Sequence, residues 1–430
     1  MAPRAAAGPG RAPAPSPAAE YQHRRRALVE LAGDDAILVL PAAPERIRSH
    51  DTHHPYRQDS DFWYLTGFPE PEAVLVLVPG RPHGETLLFC RERHPERELW
   101  DGPRAGPEGA VDRFGIDDAY PIDDIDEILP GLLEGRSRVY YHFGRDKDFD
   151  LKLIGWVNRV RAQVRQGAEP PHEFLELGHL LHELRLAKSP AELRQLRHAA
   201  AIAAEAQKAA MRATRPGGHE YEVEAALWSV WRHHDAVAAY TPIVGAGPNA
   251  CVLHYVANNA PLRDGDLLLI DAGCSLADYY NGDITRTFPI NGRFSGEQRA
   301  LYELVLAAQE AAVAAVAPGV TADSVHGTAV RVLVEGLREL GLLRGEVDGL
   351  IEQGAYRHLY MHRTGHWLGL DVHDVGAYRL GEHPVALEPG MVLTVEPGLY
   401  VSDRLAVPEG QPAIEERWKG IGIRIEDDVA

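Results

Sequence analysis

The chain has 430 residues, of which 45% are hydrophobic and 25% are charged, and its formal net charge at pH 7 is -19. This length predicts two domains, or three, with room for a large core. The acidic balance argues against nucleic acid or an anionic membrane surface as the main partner, and no apolar run is long enough for a membrane span. The three cysteines are far apart and give no disulfide framework, which fits a reducing, cytoplasmic compartment.

The first 20 residues consist almost entirely of Ala, Pro, Gly and Arg. They contain no apolar segment of the kind that a secretory signal requires. Their many prolines also oppose an amphipathic helix. We therefore expect residues 1–20 to form a disordered tail.

Short apolar runs alternate with helical patterns between residue 21 and about residue 185. We predict buried strands at 36–41, 73–79, 86–90 and 138–141, with a helix over 122–133. This alternation is typical of an α/β domain. Two adjacent histidines, His53 and His54, have no acid cluster beside them in the sequence, so we interpret them as loop or surface residues.

A helix start marks a second domain, which we place at 186–430. Ser189 is the predicted N-cap, Pro190 takes the first helical position, and Glu192 completes a capping box. The Ala-rich helix that follows is predicted to extend to about Thr214. The domain before it then covers residues 21–185.

The second domain contains an internal repeat. The segment AQKAA at 206–210 and the Pro-Gly pair at 216–217 return, at the same spacing, as AQEAA at 308–312 and Pro-Gly at 318–319. The repeat predicts a duplicated ααβ-type unit with pseudo-two-fold symmetry. A cleft is expected where the two sheets meet.

Four acidic residues stand where predicted apolar strands meet turns. They are Asp271 after the run 266–270, Asp283 in the neighbouring hairpin strand 282–288, Glu396 after the run 391–395, and Glu426 in the strand 421–426. An acid that closes an apolar strand is rarely a simply solvated residue, because burying an unpaired carboxylate is costly. Asp271 and Asp283, across one hairpin, are therefore a candidate metal platform.

The stretch 421–426 alternates strictly between two faces. Its three isoleucines are predicted to face the core, while Gly422, Arg424 and Glu426 share the opposite face. We expect the glycine to keep the space beside the two charged side chains open. A carboxylate on such a face needs a cationic partner or a metal.

Three histidines fall within the segment 361–374, separated by small, apolar and aromatic residues. They are His362, His366 and His373. One such histidine is usually a satisfied core or surface residue, whereas three in a glycine-punctuated segment favour a site.

Two Asp, two Glu and one His lie near strand ends, and the negative charges of the four carboxylates would repel one another. Two carboxylates about 4 Å apart repel by roughly 4 kcal/mol at an effective dielectric of about 20. Two divalent cations would cancel four carboxylate charges. Oxygen ligands with one imidazole suit manganese, cobalt, iron or zinc, and a pair of such ions activates a bridging water for hydrolysis.

The segments IDAG, GDITRTFP, MHRTGHWLGLDVHD, TVEPGLY and IGIRIEDD occur in this order along the second domain. With these motifs, the chain from about residue 186 resembles the pita-bread metallopeptidases, and the Xaa-Pro aminopeptidases (the aminopeptidase P family) in particular. The stretch HPYRQDSDFWYLTGFPEPEAVLVL is similar to the N-terminal domain of that subfamily. The resemblance implies an α+β fold, in which a duplicated pita-bread catalytic domain follows a smaller α/β domain.

The resemblance also implies roles for residues. The metal ligands would be Asp271, Asp283, His366, Glu396 and Glu426, which hold two divalent ions, in this subfamily usually Mn²⁺, with Co²⁺, Zn²⁺ or Fe²⁺ as alternatives. Glu396 would also shuttle a proton, His254 would contact the substrate and support that transfer, and His373 would stabilise the tetrahedral intermediate. His362 would line the proline side of the scissile bond, and Tyr400 and Arg424 would support it from behind as the other residues of the substrate-binding set.

The implied reaction releases the N-terminal residue from peptides whose second residue is proline, by a metal-bridging hydroxide. Members of the family form homodimers or homotetramers. Prolidase, which cleaves Xaa-Pro dipeptides, is the nearest alternative. Creatinase-like amidinohydrolases, a lone methionine-type aminopeptidase domain and a metal-free peptide- or protein-binding module are further alternatives.

The sequence departs from the family pattern at two places. The spacing between Asp271 and Asp283 is one residue longer than usual, and a loop between ligands can absorb an insertion. The chain ends four residues after Glu426, where members usually continue. Since terminal strands fray unless they are tied down, we expect bound metal to help to hold residues 421–430 in place.

Overall fold

The computed structural model describes residues 18–404 and 406–430, and most of the predicted N-terminal tail lies outside this range. The end of the predicted tail is wrong, because residues 18–20 already belong to the first helix. Tyr21 is buried there, and Arg24 pairs with Glu20 one turn away. The described residues form two compact units that divide between Arg185 and Leu186. A search of the described helices finds none long and apolar enough to cross a membrane.

The N-terminal unit is built around one six-stranded sheet. The strands of the whole unit are β1 (Ala36–Pro41), β2 (Ile47–Ser49), β3 (Thr52–His53), β4 (Val74–Leu77), β5 (Thr86–Cys90), β6 (Asp118–Pro121), β7 (Arg138–Tyr141) and β8 (Glu173–Glu176). Its helices are α1 (Ala18–Ala32), α2 (Ser60–Thr66), α3 (Pro95–Asp101), α4 (Gly106–Phe114), α5 (Ile125–Leu133), α6 (Lys147–Arg161) and α7 (Gly178–Leu186). The sheet order is β6-β5-β4-β1-β7-β8, with β2 and β3 as a separate pair.

The sheet is mixed, as its register shows. β1 runs antiparallel to β4 and parallel to β7, and β5 runs parallel to β6. Strands β4 and β5 are buried along their whole length, as expected for apolar runs without alternation. The predicted strands 36–41, 86–90 and 138–141 are confirmed at their bounds, and 73–79 is confirmed as the shorter β4. The predicted helix 122–133 begins with a 3₁₀ turn and continues as α5.

The C-terminal unit combines long helices with short strands. Its helices are α8 (Pro190–Ala213), α9 (Glu220–His233), α10 (Gly296–Ala315), α11 (Ala322–Glu339) and α12 (Val347–Glu352). Its strands are β9 (Val237–Ala238), β10 (Ile243–Ala246), β11 (Leu267–Asp271), β12 (Cys274–Ser275), β13 (Asn281–Gly282), β14 (Thr285–Pro289), β15 (Arg379–Leu380), β16 (His383–Pro384), β17 (Leu393–Val395), β18 (Gly398–Val401), β19 (Ile421–Arg424) and β20 (Asp427–Val429). The strands pair as β10-β11-β14, β13-β12-β9, β17-β20, β18-β19 and β15-β16.

The predicted duplication is visible in equivalent contacts. The N–H of Gly217 donates to the carbonyl of Leu262 at 2.8 Å, and the N–H of Gly319 donates to that of Leu387 at 2.8 Å. The helix pair α8–α9 repeats as α10–α11, and both α8 and α10 begin with a capping box, which confirms the one predicted at Ser189. The predicted α+β class is therefore confirmed.

The strand predicted at 421–426 is shorter than expected. β19 ends at Arg424, and Glu426 lies in the link between β19 and β20. The isoleucine face does belong to the core. The expectation of open space beside Gly422 is wrong, because a Cβ at that position would lie 2.3 Å from the carbonyl oxygen of Ala250. Glycine here permits a close approach of two backbones.

Candidate metal centre

The four predicted acids come from the ends of four strands of the C-terminal unit. Asp271 is the last residue of β11, Asp283 precedes β14, Glu396 follows β17, and Glu426 follows β19. β11 pairs with β14 so that Asp271 stands opposite Thr285. The N–H of Glu426 donates to the carbonyl of Thr285 at 3.1 Å, which brings the last acid beside the hairpin.

The structure brings all five predicted metal ligands together. Nε2 of His366 lies 3.5 Å from Oδ2 of Asp283 and 3.6 Å from Oε1 of Glu396. Donor atoms of Asp283, His366 and Glu426 lie within 4.8 Å of one another. Asp271 joins the group through the hydroxyl of Tyr240, which lies 2.5 Å from Oδ1 of Asp271 and also contacts Asp283.

Burial without enough positive charge raises the pKa values of three of these acids, Asp271, Glu396 and Glu426. Burial, more than any neighbour, raises the pKa of Glu396 to about 7. Burial and the Asp283 carboxylate raise the pKa of Glu426 well above its ordinary range, and burial also raises that of Asp271. Burial lowers the pKa of His366, but the Asp283 and Glu396 carboxylates outweigh it and raise the pKa to about 9. The positively charged side chains near the cluster are too few to balance its carboxylates.

The donor set fits a pair of divalent cations. Nδ1 of His366 lies 3.0 Å from the carbonyl oxygen of Trp367, which fixes the proton on Nδ1 and turns the lone pair of Nε2 toward the acids. Four carboxylates and one imidazole suit manganese, cobalt, iron or zinc. Two such cations would balance the charge of four carboxylates, and the raised pKa values of Asp271, Glu396 and Glu426 show that these three lack nearby positive charge.

A chain of hydrogen bonds leads away from Asp271. Nη2 of Arg424 donates to Oδ2 of Asp271 at 2.5 Å, and Nη1 donates to the hydroxyl of Tyr400 at 2.7 Å. That hydroxyl lies 2.8 Å from Nε2 of His362. Burial, followed by the Arg424 charge, lowers the pKa of His362 to about 3, so its ring is neutral at neutral pH. The three residues predicted on the proline side thus form one connected set.

A cavity of about 740 Å³ contains these groups. This volume suits a small ligand or a short peptide segment. His254 and His373 are exposed and line it, and the His373 ring stands edge-on to the His366 ring with centroids 4.4 Å apart. Of the ten predicted site residues, all line this cavity or, as Tyr400 does, contact a residue that lines it.

Sequence reasoning missed three residues that hold the acids in place. The hydroxyl of Thr285 donates to Oε2 of Glu426 at 2.6 Å, and Oδ2 of Asp428 accepts from the N–H of Asp283 at 3.1 Å. Both lie inside quoted motifs, so their nearness to ligands was a usable signal. Tyr240 stands in no motif, and its role depends on tertiary contacts alone.

A second group of possible metal ligands lies in the N-terminal unit. Nε2 of His142 is 3.0 Å, and Nε2 of His182 is 3.2 Å, from Oδ2 of Asp61. Nη1 of Arg185 also donates to Oδ1 of Asp61 at 2.7 Å. Burial raises the pKa of Asp61, but bonds from the two histidines and the Arg185 charge outweigh it and lower the pKa well below its ordinary range. This carboxylate already has its counter-charge and needs no metal.

The histidines predicted as surface residues behave as expected. His53 and His54 are both exposed, and neither belongs to a group of donor atoms close enough to hold a metal in the described part of the chain.

Comparison with known protein families matches two parts of the chain. Residues 194–430 match the metallopeptidase family M24, and residues 21–141 match the aminopeptidase P N-terminal domain. The Xaa-Pro aminopeptidase of Escherichia coli (strain K12) is 45% identical over 412 residues, which cover 95% of this chain and 91% of that protein.

Solved structures of the same group are similar along almost the whole chain. The structure of Pseudomonas aeruginosa aminopeptidase PepP is 56% identical, with a TM-score of 0.92, and the match covers 96% of this chain and 92% of that one. Escherichia coli aminopeptidase P with the inhibitor Pro-Leu is 45% identical, with a TM-score of 0.90 and the same coverage.

Proposed function

The chain belongs to metallopeptidase family M24, and on this premise we propose that it is a metal-dependent aminopeptidase that releases the N-terminal residue from peptides with proline in second place. The observation that carries the proposal is the convergence of four acids and His366 in one cavity. Similarity to Xaa-Pro aminopeptidases over 95% of the chain favours this activity over that of a prolidase, an amidinohydrolase or a metal-free binding module.

We assign the metal-holding role to five residues, namely Asp271, Asp283, His366, Glu396 and Glu426. When bound there, two divalent cations would polarise the scissile carbonyl and lower the pKa of a water molecule for attack. We propose manganese as the native pair, because oxygen donors dominate the set and no thiolate belongs to it.

Glu396 is placed to move a proton toward the leaving group. Its Oε1 lies 3.6 Å from Nε2 of His366, and its Oε2 lies 3.9 Å from Nδ1 of His362. The carboxylate therefore stands between the metal-holding histidine and the proline side of the cavity. In this proposal Glu396 takes a proton and passes it to the proline nitrogen as the peptide bond breaks.

His362, Tyr400 and Arg424 orient the proline. The His362 and Tyr400 rings lie 5.5 Å apart between centroids, and their hydrogen bond fixes both. Neutral His362 gives the proline ring an uncharged wall in the cavity, and the buried Tyr400 holds the His362 ring from behind. A proline nitrogen carries no N–H to satisfy, so a wall without an additional acceptor suits it.

His254 and His373 are proposed to assist at the scissile carbonyl. Burial, followed by the His366 charge, lowers the pKa of His373, which keeps its ring neutral and able to donate one N–H. A donor aimed at the carbonyl oxygen stabilises the negative charge that develops there. His254 stands at the mouth of the same cavity.

The first test is Asp283→Ala. Removing one carboxylate from the centre should lower the hydrolysis of Arg-Pro-Pro by at least about a thousandfold and reduce bound metal, because the donor set is incomplete. Turnover and plasma mass spectrometry of the purified protein measure both effects, and circular dichroism checks folding. Asp264→Ala, at an exposed position, is the matched control and should change neither.

Full activity of the Asp283→Ala protein would contradict the site assignment. Hydrolysis of Xaa-Pro dipeptides without hydrolysis of tripeptides would reassign the chain to the prolidases.

We also propose a cytoplasmic location and a homodimer or homotetramer. All three cysteines are free thiols, as expected in a reducing compartment. Leu99 and Trp100 on α3 are 86% and 87% exposed, an unusual exposure for such side chains, and a second copy could cover them. Light scattering of the wild-type and Trp100→Ala proteins tests the assembly.

A further inference from the structure

The cavity is lined by two permanent cations, which differ in availability. Arg424 is buried and bonded to Asp271 and Tyr400. The Arg363 side chain is 62% exposed, so it stands at the mouth of the cavity. Among the arginines and lysines that line the cavity, Arg363 is thus the one that an entering ligand can reach.

Arg363 is positioned by an acid that does not neutralise it fully. Its Nη2 contacts Oδ1 of Asp323, and Oδ2 of the same carboxylate accepts from Nη1 of Arg379 at 3.1 Å. The bond from Arg363, helped by the charges of Arg363 and Arg379, outweighs burial and lowers the pKa of Asp323, so this carboxylate stays ionised. One negative charge serves two guanidinium groups, and the trio keeps a net positive charge.

The position of Arg363 in the cavity indicates which end of a bound peptide it would meet. It follows His362, the residue assigned to the proline side, and faces the wall formed by the start of α11 at Ala322 and Val325. His326 on that wall carries no competing charge, since burial lowers its pKa to about 4. The acid cluster would attract the amino end of a peptide. Since Arg363 follows His362, which is assigned to the proline side, the leaving part would continue toward Arg363.

We propose that Arg363 binds a carboxylate on the leaving side of the scissile bond, and that this is chiefly the C-terminal carboxylate of a short peptide. This inference rests on the proposed function, since it assigns the orientation of the same substrate. A short zwitterionic peptide has a negative end to match Arg363 and a positive end to match the acid cluster. A guanidinium recognises a carboxylate by paired N–H donors, and the described contacts with Asp323 occupy Nη2 alone.

The test compares three substrates with one sequence frame: Ala-Pro-Ala, its C-terminal amide, and the C-terminal amide of Ala-Pro-Asp. For the metal-loaded wild-type protein, the free acid should show a KM about three- to tenfold lower than Ala-Pro-Ala amide, the size expected of a partly exposed charged pair. Arg363→Gln should remove this difference with little change in kcat, because the contact binds substrate and transition state equally. Arg331→Gln, on the same helix as Asp323 but outside the cavity, should keep it.

The Ala-Pro-Asp amide distinguishes the sources of the carboxylate. A low KM for it that Arg363→Gln abolishes would extend the binding to acidic side chains, and a KM like that of Ala-Pro-Ala amide would confine it to the chain terminus. Equal KM values for acid and amide in the wild type, or a preference that survives Arg363→Gln, would overturn the inference. If the free acid and its amide are hydrolysed with equal KM, the proposed function remains intact and only the role of Arg363 is overturned. If none of the three substrates is hydrolysed, the proposed function itself is contradicted.

Discussion

The two units each bury a cluster of ionisable groups, and the clusters differ in where their counter-charge comes from. In the N-terminal unit, Asp61 is surrounded by Arg185, His142 and His182, so the chain supplies the positive charge. In the C-terminal unit, four acids share His366 and Arg424. Both clusters place donor atoms at distances that suit a metal. Charge balance, rather than distance, separates a structural ion pair from a metal centre.

The pKa values of the two clusters move in opposite directions for this reason. Hydrogen bonds and Arg185 overcome burial and lower the pKa of Asp61, whereas burial and neighbouring acids raise that of Glu426. Folding therefore stabilises the charged form of Asp61 and disfavours the charged form of Glu426. Variants of the two clusters test this contrast.

Glu426→Gln should give the largest effect, and its sign should depend on metal. Hydrolysis should fall by at least about a thousandfold, because a ligand is lost. In chelator-treated protein at pH 7, the same change should stabilise the fold by about 1–3 kcal/mol, because the raised pKa makes burial of Glu426 cost either the uptake of a proton or a repelled charge, whereas glutamine is neutral. Urea unfolding measures this, and Asp61→Asn, which should destabilise the protein, is the matched comparison. A loss of stability in metal-free Glu426→Gln would break the contrast.

Arg185→Met should cost about 3–5 kcal/mol, because it leaves the Asp61 carboxylate buried with less counter-charge. Unfolding in urea, followed separately for the two units by intrinsic fluorescence and limited proteolysis, measures the loss. Arg299→Met removes an exposed pair with Glu303 and should cost less than about 1 kcal/mol. Bound metal should not change in either variant, and a loss of metal in Arg185→Met would speak against a purely structural cluster.

The pH dependence of the N-terminal unit follows from His142. Burial lowers its pKa, but bonds from Asp61 and Glu176 outweigh burial and raise it above the ordinary 6.5. The stabilisation from protonated His142 is complete below pH 6.5 and is lost as pH rises through the raised pKa. That from Asp61 is present above pH 3.8 and is lost at lower pH, as its lowered pKa requires.

His142→Gln should therefore destabilise the protein at pH 6 by about 1 kcal/mol more than at pH 9. Unfolding of both proteins across this interval measures the difference. A cost that is constant with pH would show that His142 stays neutral.

The smallest effect concerns the last strand. β20 pairs with β17, and the carboxylate of Asp427 accepts from Arg286 at 2.7 Å and from Gln309 at 2.9 Å. These contacts leave the stability of the segment only partly dependent on metal. Chelation should speed amide hydrogen exchange in residues 421–430 by about tenfold, while the exchange rates of β7 in the N-terminal unit should not change. Exchange that stays slow in the metal-free protein would count against the expected role of metal there.

Local patterns are enough to single out the four acids that the structure brings together in the candidate centre. An apolar run that ends in an acid, as at Asp271 and Glu396, is visible within a few residues. The Asp61 group was missed because its members come from α2, the end of β7 and α7, which only the tertiary fold brings together. Tyr240 was missed for the same reason, whereas Arg363 stands beside His362 in a quoted motif and only its contact with Asp323 depends on the tertiary fold. The length of β19 was overestimated because alternation continues past Arg424, although Ile425 already bonds to Pro397 outside the strand.

The duplicated architecture makes the metal centre a check on complete folding. The first repeat supplies Asp271 and Asp283, and the second supplies His366, Glu396 and Glu426. Neither repeat alone offers the donors that a pair of cations needs. A chain cut in the exposed link at 291–293 would regain hydrolysis only when its two fragments associate. Activity would then measure the association of the fragments, as in a split-enzyme complementation assay.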